Sequence, residues 1–134
     1  MSSLLVFAAS AQPAPVTLTV SGTIPILADG DTPAAVRRAA HIADGYFPGT
    51  NDPEQLSQLI KDVGVEAAKY GREPEEIQIH AIFSEFNNPI PAAERMAAQG
   101  VSRAMLPAFV FAGPGGLDRM AEFGESVVKP LAGD

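Results

Sequence analysis

Residues 26–48 constrain the fold more than any other part of the chain. They hold a short apolar run (Ile26, Leu27, Ala28), a glycine turn, a helix-start signal at Thr32 and Pro33, an alanine-rich amphipathic stretch, and a second short run stopped by Pro48. That order is one β-α-β unit, which commits the chain to a parallel sheet. Short right-handed crossovers then place every strand-to-helix loop on the same edge of that sheet. Ligands of parallel α/β sheets bind at that edge.

The alternation continues along the chain. Residues 24–28 read as a buried strand. Asp31 or Thr32 caps the next helix and Pro33 fits its first turn. Val36, Ala39, Ala40 and Ala43 recur at the spacing of a packed helical face. Residues 44–48 form a second strand. Asp52 is an N-cap before Pro53, and Leu56, Leu59, Ile60, Val63 and Ala67 mark the buried side of a long helix closed by Gly71. In residues 77–83, Ile77, Ile79, Ala81 and Phe83 share one strand face, and Gln78, His80 and Ile82 the other.

A short helix with Ala92, Ala93, Met96 and Ala97 inward ends at Gly100, and residues 102–106 are the fourth strand. Residues 107–113 are an irregular apolar excursion. Gly115 and Gly116 open the last helix, with Leu117, Met120, Ala121, Gly124, Val127 and Val128 expected inward and Pro130 as its stop. Four strands, each followed by a helix, predict an α/β fold with loops 29–32, 48–52, 84–88 and 107–116 along one edge.

The first 23 residues stand apart from a domain over residues 24–134. Val16, Thr17, Leu18, Thr19 and Val20 are β-prone and suit an edge strand or an ordered arm. Residues 1–11 mimic a secretory signal but lack its positive n-region, and an extended lead-in is the expected reading.

At 134 residues the chain makes one domain at most, short of the roughly 250 residues of an eight-stranded α/β barrel. Its net charge of −7, with no basic stripe, argues against nucleic acid as a partner. No stretch reaches the roughly 18 apolar residues of a membrane span. The absence of cysteine excludes disulfides and thiolate metal sites and suits a reducing, cytoplasmic compartment. The two histidines, His41 and His80, lack ligand spacing, so no metal site is expected.

Candidate site residues lie mostly along the loop edge. Gly30, Asp31 and Thr32 precede a helix, where backbone amides can hold an anion; an ordinary turn with an N-cap fits the same residues. Arg37 and Arg38 are expected on a solvated face or paired with acids such as Asp44. His80, in a strand, is the candidate proton donor, although a hydrogen-bonded structural histidine is the commoner case. Glu85 and Asp29 form an acid–base pair only if they share a pocket. The run from Gly113 to Gly116 lacks the lysine of a phosphate-binding P-loop and reads as a loop that starts a helix. Phe83, Phe86, Phe109 and Phe111 fall at or beyond strand ends and suit an apolar pocket or an interface.

From residue 24 to about residue 131 the chain resembles the C-terminal part of the luciferase-like monooxygenase superfamily, most closely its deazaflavin (coenzyme F-420) dependent oxidoreductases. The matching pieces are the run from Pro25 to Pro48, Gly71-Arg72-Glu73-Pro74 with Glu76-Ile77, the run from Gly100 to Pro107, and the run from Gly116 to Gly124. The resemblance implies a TIM-like (β/α) barrel of which this chain supplies about four parallel β-α units. It implies FMN or the deazaflavin as cofactor, with its phosphate at Asp29, Gly30, Asp31 and Thr32, and hydride transfer or oxygen activation on an organic substrate. In the family that turn carries two adjacent glycines; here Asp29 replaces the first, and its carboxylate repels an anion. A half-barrel also leaves a sheet face uncovered, so a homodimer or a complementary barrel half is expected, including in the alternative of a non-catalytic, partner-binding module.

Overall fold

A computed structural model of the chain describes residues 14, 15, 17 and 25–133. The N-terminal arm expected over residues 1–23 lies almost wholly outside the described residues. The described elements are β1 (Leu27–Asp29), α1 (Pro33–Ile42), β2 (Gly45–Phe47), α2 (Pro53–Lys69), β3 (Gln78–Ile82), α3 (Pro89–Gln99), β4 (Arg103–Met105) and α4 (Gly116–Phe123). A π-helical stretch, Gly124–Val128, then leads into α5 (Lys129–Ala132).

Local chemistry sets the helix ends. The Thr32 hydroxyl accepts from the Ala35 N–H at 3.2 Å with Pro33 following, and the Asp52 carboxylate accepts from the Glu54 N–H at 2.9 Å with Pro53 following. Gly71 (φ +71°) and Gly100 (φ +100°) take the left-handed conformation that closes α2 and α3.

The four strands lie in sequence order, and every neighbouring pair is parallel. This is the partial TIM-barrel architecture that the alternation and the family resemblance together imply. The register aligns Asp29 with Phe47, Tyr46 with Ile79, and His80 with Arg103. Alternation along each strand then sorts the side chains. Ala28, Tyr46 and Ile79 point to the helices, where they meet Val36, Ala39, Ala40, Leu59 and Val63 of α1 and α2. A second apolar cluster joins Leu56, Ala81, Phe83, Ala92 and Met96, with Ile60 and Val101 packed against both. Leu27, Asp29, Phe47, Gln78, His80, Ile82, Arg103 and Met105 occupy the opposite face. No described helix covers that face, and Leu27 and Met105 are 45% and 42% exposed.

Four expectations need correction. The first strand begins at Leu27, not at residue 24: Pro25 has no N–H to give a ladder, and Ile26 is tied instead to Asp44, whose carboxylate takes its N–H at 2.7 Å. Ala97 is exposed, because α3 turns only Ala92 and Met96 fully inward. The last helix buries Val127 but not its expected stripe: Leu117 is 81% exposed, and Met120 and Val128 are about half exposed. That helix docks through Phe123, and among the described residues the sheet ends at β4, so no further strand lies under the other side. Finally, Pro130 does not stop the helix. The backbone widens to π geometry just before it and continues to Ala132.

Candidate functional site

The loops after the four strands gather on one edge of the sheet, as parallel pairing requires. The first two are stitched together. The Asp31 carboxylate accepts the Gly49 N–H at 2.6 Å, the Tyr46 hydroxyl donates to the Gly30 carbonyl at 2.7 Å, and the Gly30 N–H reaches the Phe47 carbonyl at 3.3 Å. Gly30 needs its positive φ of +112° to make this turn. Tyr46 is fully buried. Burial, then the Asp31 and Asp62 carboxylates, push its phenol up to about 12, so it stays a donor across the physiological range.

These bonds decide what the expected anchor of Asp29, Gly30, Asp31 and Thr32 can hold. The Thr32 hydroxyl already caps α1, and residue 33 is a proline without an N–H. Asp29 and Asp31 put two carboxylates on the turn, and Arg38 spends its contact on the Asp29 carbonyl at 3.3 Å. The turn is a poor phosphate site: its Gly30 and Ala35 amides are already given, and its two carboxylates oppose an anion.

Farther along the edge, a cavity of about 580 Å³ opens above β2, β3 and β4. Phe47, Ile82, Phe86, Met105, Phe109 and Val110 supply its apolar walls, and Asn51 and Ser84 its side-chain polar groups. Its volume and apolar walls suit a planar ring or an apolar substrate. Of the four phenylalanines singled out in the sequence, Phe83, Phe86 and Phe109 line it. Phe111 instead packs edge-on against Phe123, 6.1 Å away, within a cluster that also joins Phe83 and Phe86.

His80 lies two residues before Ile82 on β3 and does not line this cavity. It is 4% exposed, and its Nε2 is 3.4 Å from the Gln78 side-chain oxygen. Burial, then the Arg103 guanidinium, hold its pKa below the ordinary imidazole range, so it is neutral at pH 7. Glu85 pairs with Arg95 rather than with Asp29. Asp44 serves the Ile26 N–H, not Arg37 or Arg38. The glycine loop after β4 is braced, with Arg119 donating to the carbonyls of Ala112 at 2.9 Å and Pro114 at 3.0 Å. Among the described residues no cluster of His, Cys, Asp or Glu has metal-ligand geometry, and no helix is long and apolar enough to cross a membrane.

Sequence reasoning missed Tyr46, Asn51, Met105 and Val110. Tyr46 and Met105 lie in strands near the loop edge, and Asn51 and Val110 fall within loops 48–52 and 107–116, placed along that edge without being singled out.

Comparison with known proteins identifies the architecture. A family model for the luciferase-like monooxygenases matches residues 4–122. The structure is similar to that of a coenzyme F420 dependent tetrahydromethanopterin reductase from Methanopyrus kandleri, with a TM-score of 0.64 and 12% identity over 79% of this chain and 50% of that one. This chain thus spans about half the length of that protein. Shorter matches reach a long-chain alkane monooxygenase, LadA (37% identity, 36% of this chain and 11% of that one, TM-score 0.35), and DmoA from Hyphomicrobium sulfonivorans (28% identity, 42% of this chain and 12% of that one, TM-score 0.39). No curated protein matches.

Proposed function

We propose a function from one premise: the chain belongs to the luciferase-like monooxygenase family. It acts as the C-terminal portion of a cytoplasmic oxidoreductase that uses deazaflavin coenzyme F-420 or FMN, in the branch of the F-420 dependent enzymes. The observation that carries this reading is the apolar cavity on the carboxyl edge of a parallel sheet, where such folds bind ligands.

The ring system of the cofactor supplies hydride transfer to or from an organic substrate when bound. The residues of this chain position that ring and exclude water. Phe47, Ile82 and Met105 at the strand ends, with Phe86 and Phe109, give the apolar lining for that ring. Asn51 and Ser84 offer the hydrogen bonds that orient a polar ring edge. His80, two residues before Ile82 on the same face of β3, is the candidate proton-transfer residue. Titration of the purified protein with FMN and with coenzyme F-420, followed by fluorescence, tests the reading. Saturable binding is expected, and no binding of either at high micromolar ligand rejects it for this chain.

A second reading, a non-catalytic half-barrel that pairs with itself or with a complementary half, is favoured by a different observation. The face carrying Leu27 and Met105 is open, and all three residues of β4 are exposed at a sheet edge. Parallel sheets are normally covered on both faces. Sedimentation as a clean monomer at micromolar concentration weighs against this reading.

A further inference from the structure

We infer that the loop edge of this chain selects ligands by their uncharged planar ring and excludes phosphate from the turn at residues 29–32, because Asp31 occupies that place as an internal anion. The ring half of this statement rests on the flavin reading above; the turn half stands on the Asp31–Gly49 hydrogen bond and the local carboxylates.

A phosphate at the start of a helix needs free backbone amides and a net positive field. Here part of the donor set is already given to the protein, and carboxylates crowd the place. The Gly30 amide is given to the Phe47 carbonyl, the Ala35 amide to the Thr32 hydroxyl, and position 33 has no amide proton. The Gly49 amide, on the neighbouring loop and facing the same space, is given to the Asp31 carboxylate. One carboxylate oxygen therefore sits on a backbone donor that an anionic ligand would otherwise use.

The field is also unfavourable. Asp29 and Asp31 are exposed on the turn, and Asp62 and Glu66 continue the acidic lining of the groove beside it. Among the described residues, Arg37 is the one cation lining that groove. Arg38, held on the Asp29 carbonyl, offsets part of this charge. An incoming phosphate meets repulsion from each carboxylate and, to use the Gly49 amide, has to displace Asp31.

The cavity above β2, β3 and β4 has the opposite character, with walls from Phe47, Ile82, Met105 and Phe109 and no charged lining residue. Ligand affinity there comes from apolar burial, which a phosphate tail does not increase.

The test compares FMN with riboflavin, its phosphate-free counterpart, on the whole chain, and follows backbone amide resonances with inorganic phosphate. The two flavins are expected to bind within about two-fold of each other. Their ratio should change little with salt, and millimolar phosphate should leave the amides of residues 30–35 unshifted. FMN binding about ten-fold tighter than riboflavin, or saturable phosphate shifts at those amides, overturns the inference. If neither flavin binds and the amides stay unshifted, the flavin reading falls while the exclusion of phosphate from the turn stands. Asp31→Asn keeps an oxygen for Gly49 and removes the charge, so it is expected to tilt the ratio toward FMN. An unchanged ratio overturns Asp31 as the residue responsible.

Discussion

The guanidinium of Arg72 donates to the carbonyl of Ala43 at 2.7 Å, across 29 residues of sequence, and to the carbonyl of Ala40 at 2.9 Å. These groups sit at the end of α1, where carbonyls have no partner within the helix. A cation there also opposes the negative end of the helix dipole. Arg72 follows Gly71 directly, so the residue that ends α2 also aims the clamp that closes α1.

Removing that clamp is expected to destabilise the fold. Arg72→Ala should lower the unfolding free energy by about 1.5–3 kcal/mol, the range for hydrogen bonds to a charged group. Arg72→Lys should recover little, since an ammonium cannot span two carbonyls as a planar fork does. Urea denaturation of the three proteins checks this, and a fully stable lysine variant contradicts it.

Tyr46 should titrate well above an ordinary phenol. With Tyr70→Phe removing the other phenol, the phenolate absorbance of Tyr46 is expected near pH 12. Asp31→Asn should bring it down, though burial keeps it above the ordinary value of 10. The folded protein holds this proton more tightly than the unfolded chain. The corresponding stability is therefore complete below pH 10 and lost as pH rises toward 12. Identical titration curves with and without Asp31 would contradict the electrostatic account.

His80 carries the opposite sign. Its folded pKa is lowered, so in acid the unfolded chain takes up a proton that the folded chain refuses. Its contribution is fully present above pH 6.5 and is lost as pH falls. The stability advantage of the wild type over His80→Gln should shrink between pH 7.5 and pH 5, roughly one unit either side of an ordinary imidazole pKa. Urea midpoints across that interval measure it, and a difference that does not change with pH removes the claim.

Two glycines of the last helix should respond differently to alanine. A Cβ at Gly116 runs into the carbonyl oxygen of Phe111, which is backbone and cannot rotate away. Gly116→Ala should cost about 1–3 kcal/mol, as overpacking does. Gly124 has helical dihedrals (φ −57°, ψ −48°) and nothing within 4 Å of a built Cβ. Gly124→Ala should be neutral or stabilise by up to about 1 kcal/mol. Thermal melts of both variants check the contrast.

The order of strands and helices, their parallel sense and most helix ends were legible in the amino-acid sequence. These features are local. Thr32-Pro33 and Asp52-Pro53 cap helices through neighbours two or three residues away, and the period of Val36, Ala39, Ala40 and Ala43 marks one face whatever lies opposite. The phenylalanines at strand ends located most of the apolar cavity for the same reason, because a parallel sheet puts those ends together. Tertiary structure alone decided the rest. The apolar period of Leu117, Met120 and Val128 is real, but a stripe is buried only if an element lies against it, and the four-stranded sheet supplies none. Asp31 read equally as a cap or as part of an anion site. Its pairing with Gly49, fixed by how two loops meet across adjacent strands, gives its carboxylate to the protein's own backbone. Periodicity and capping are written into neighbouring residues, whereas partners separated by a whole β-α unit are chosen only when the chain folds.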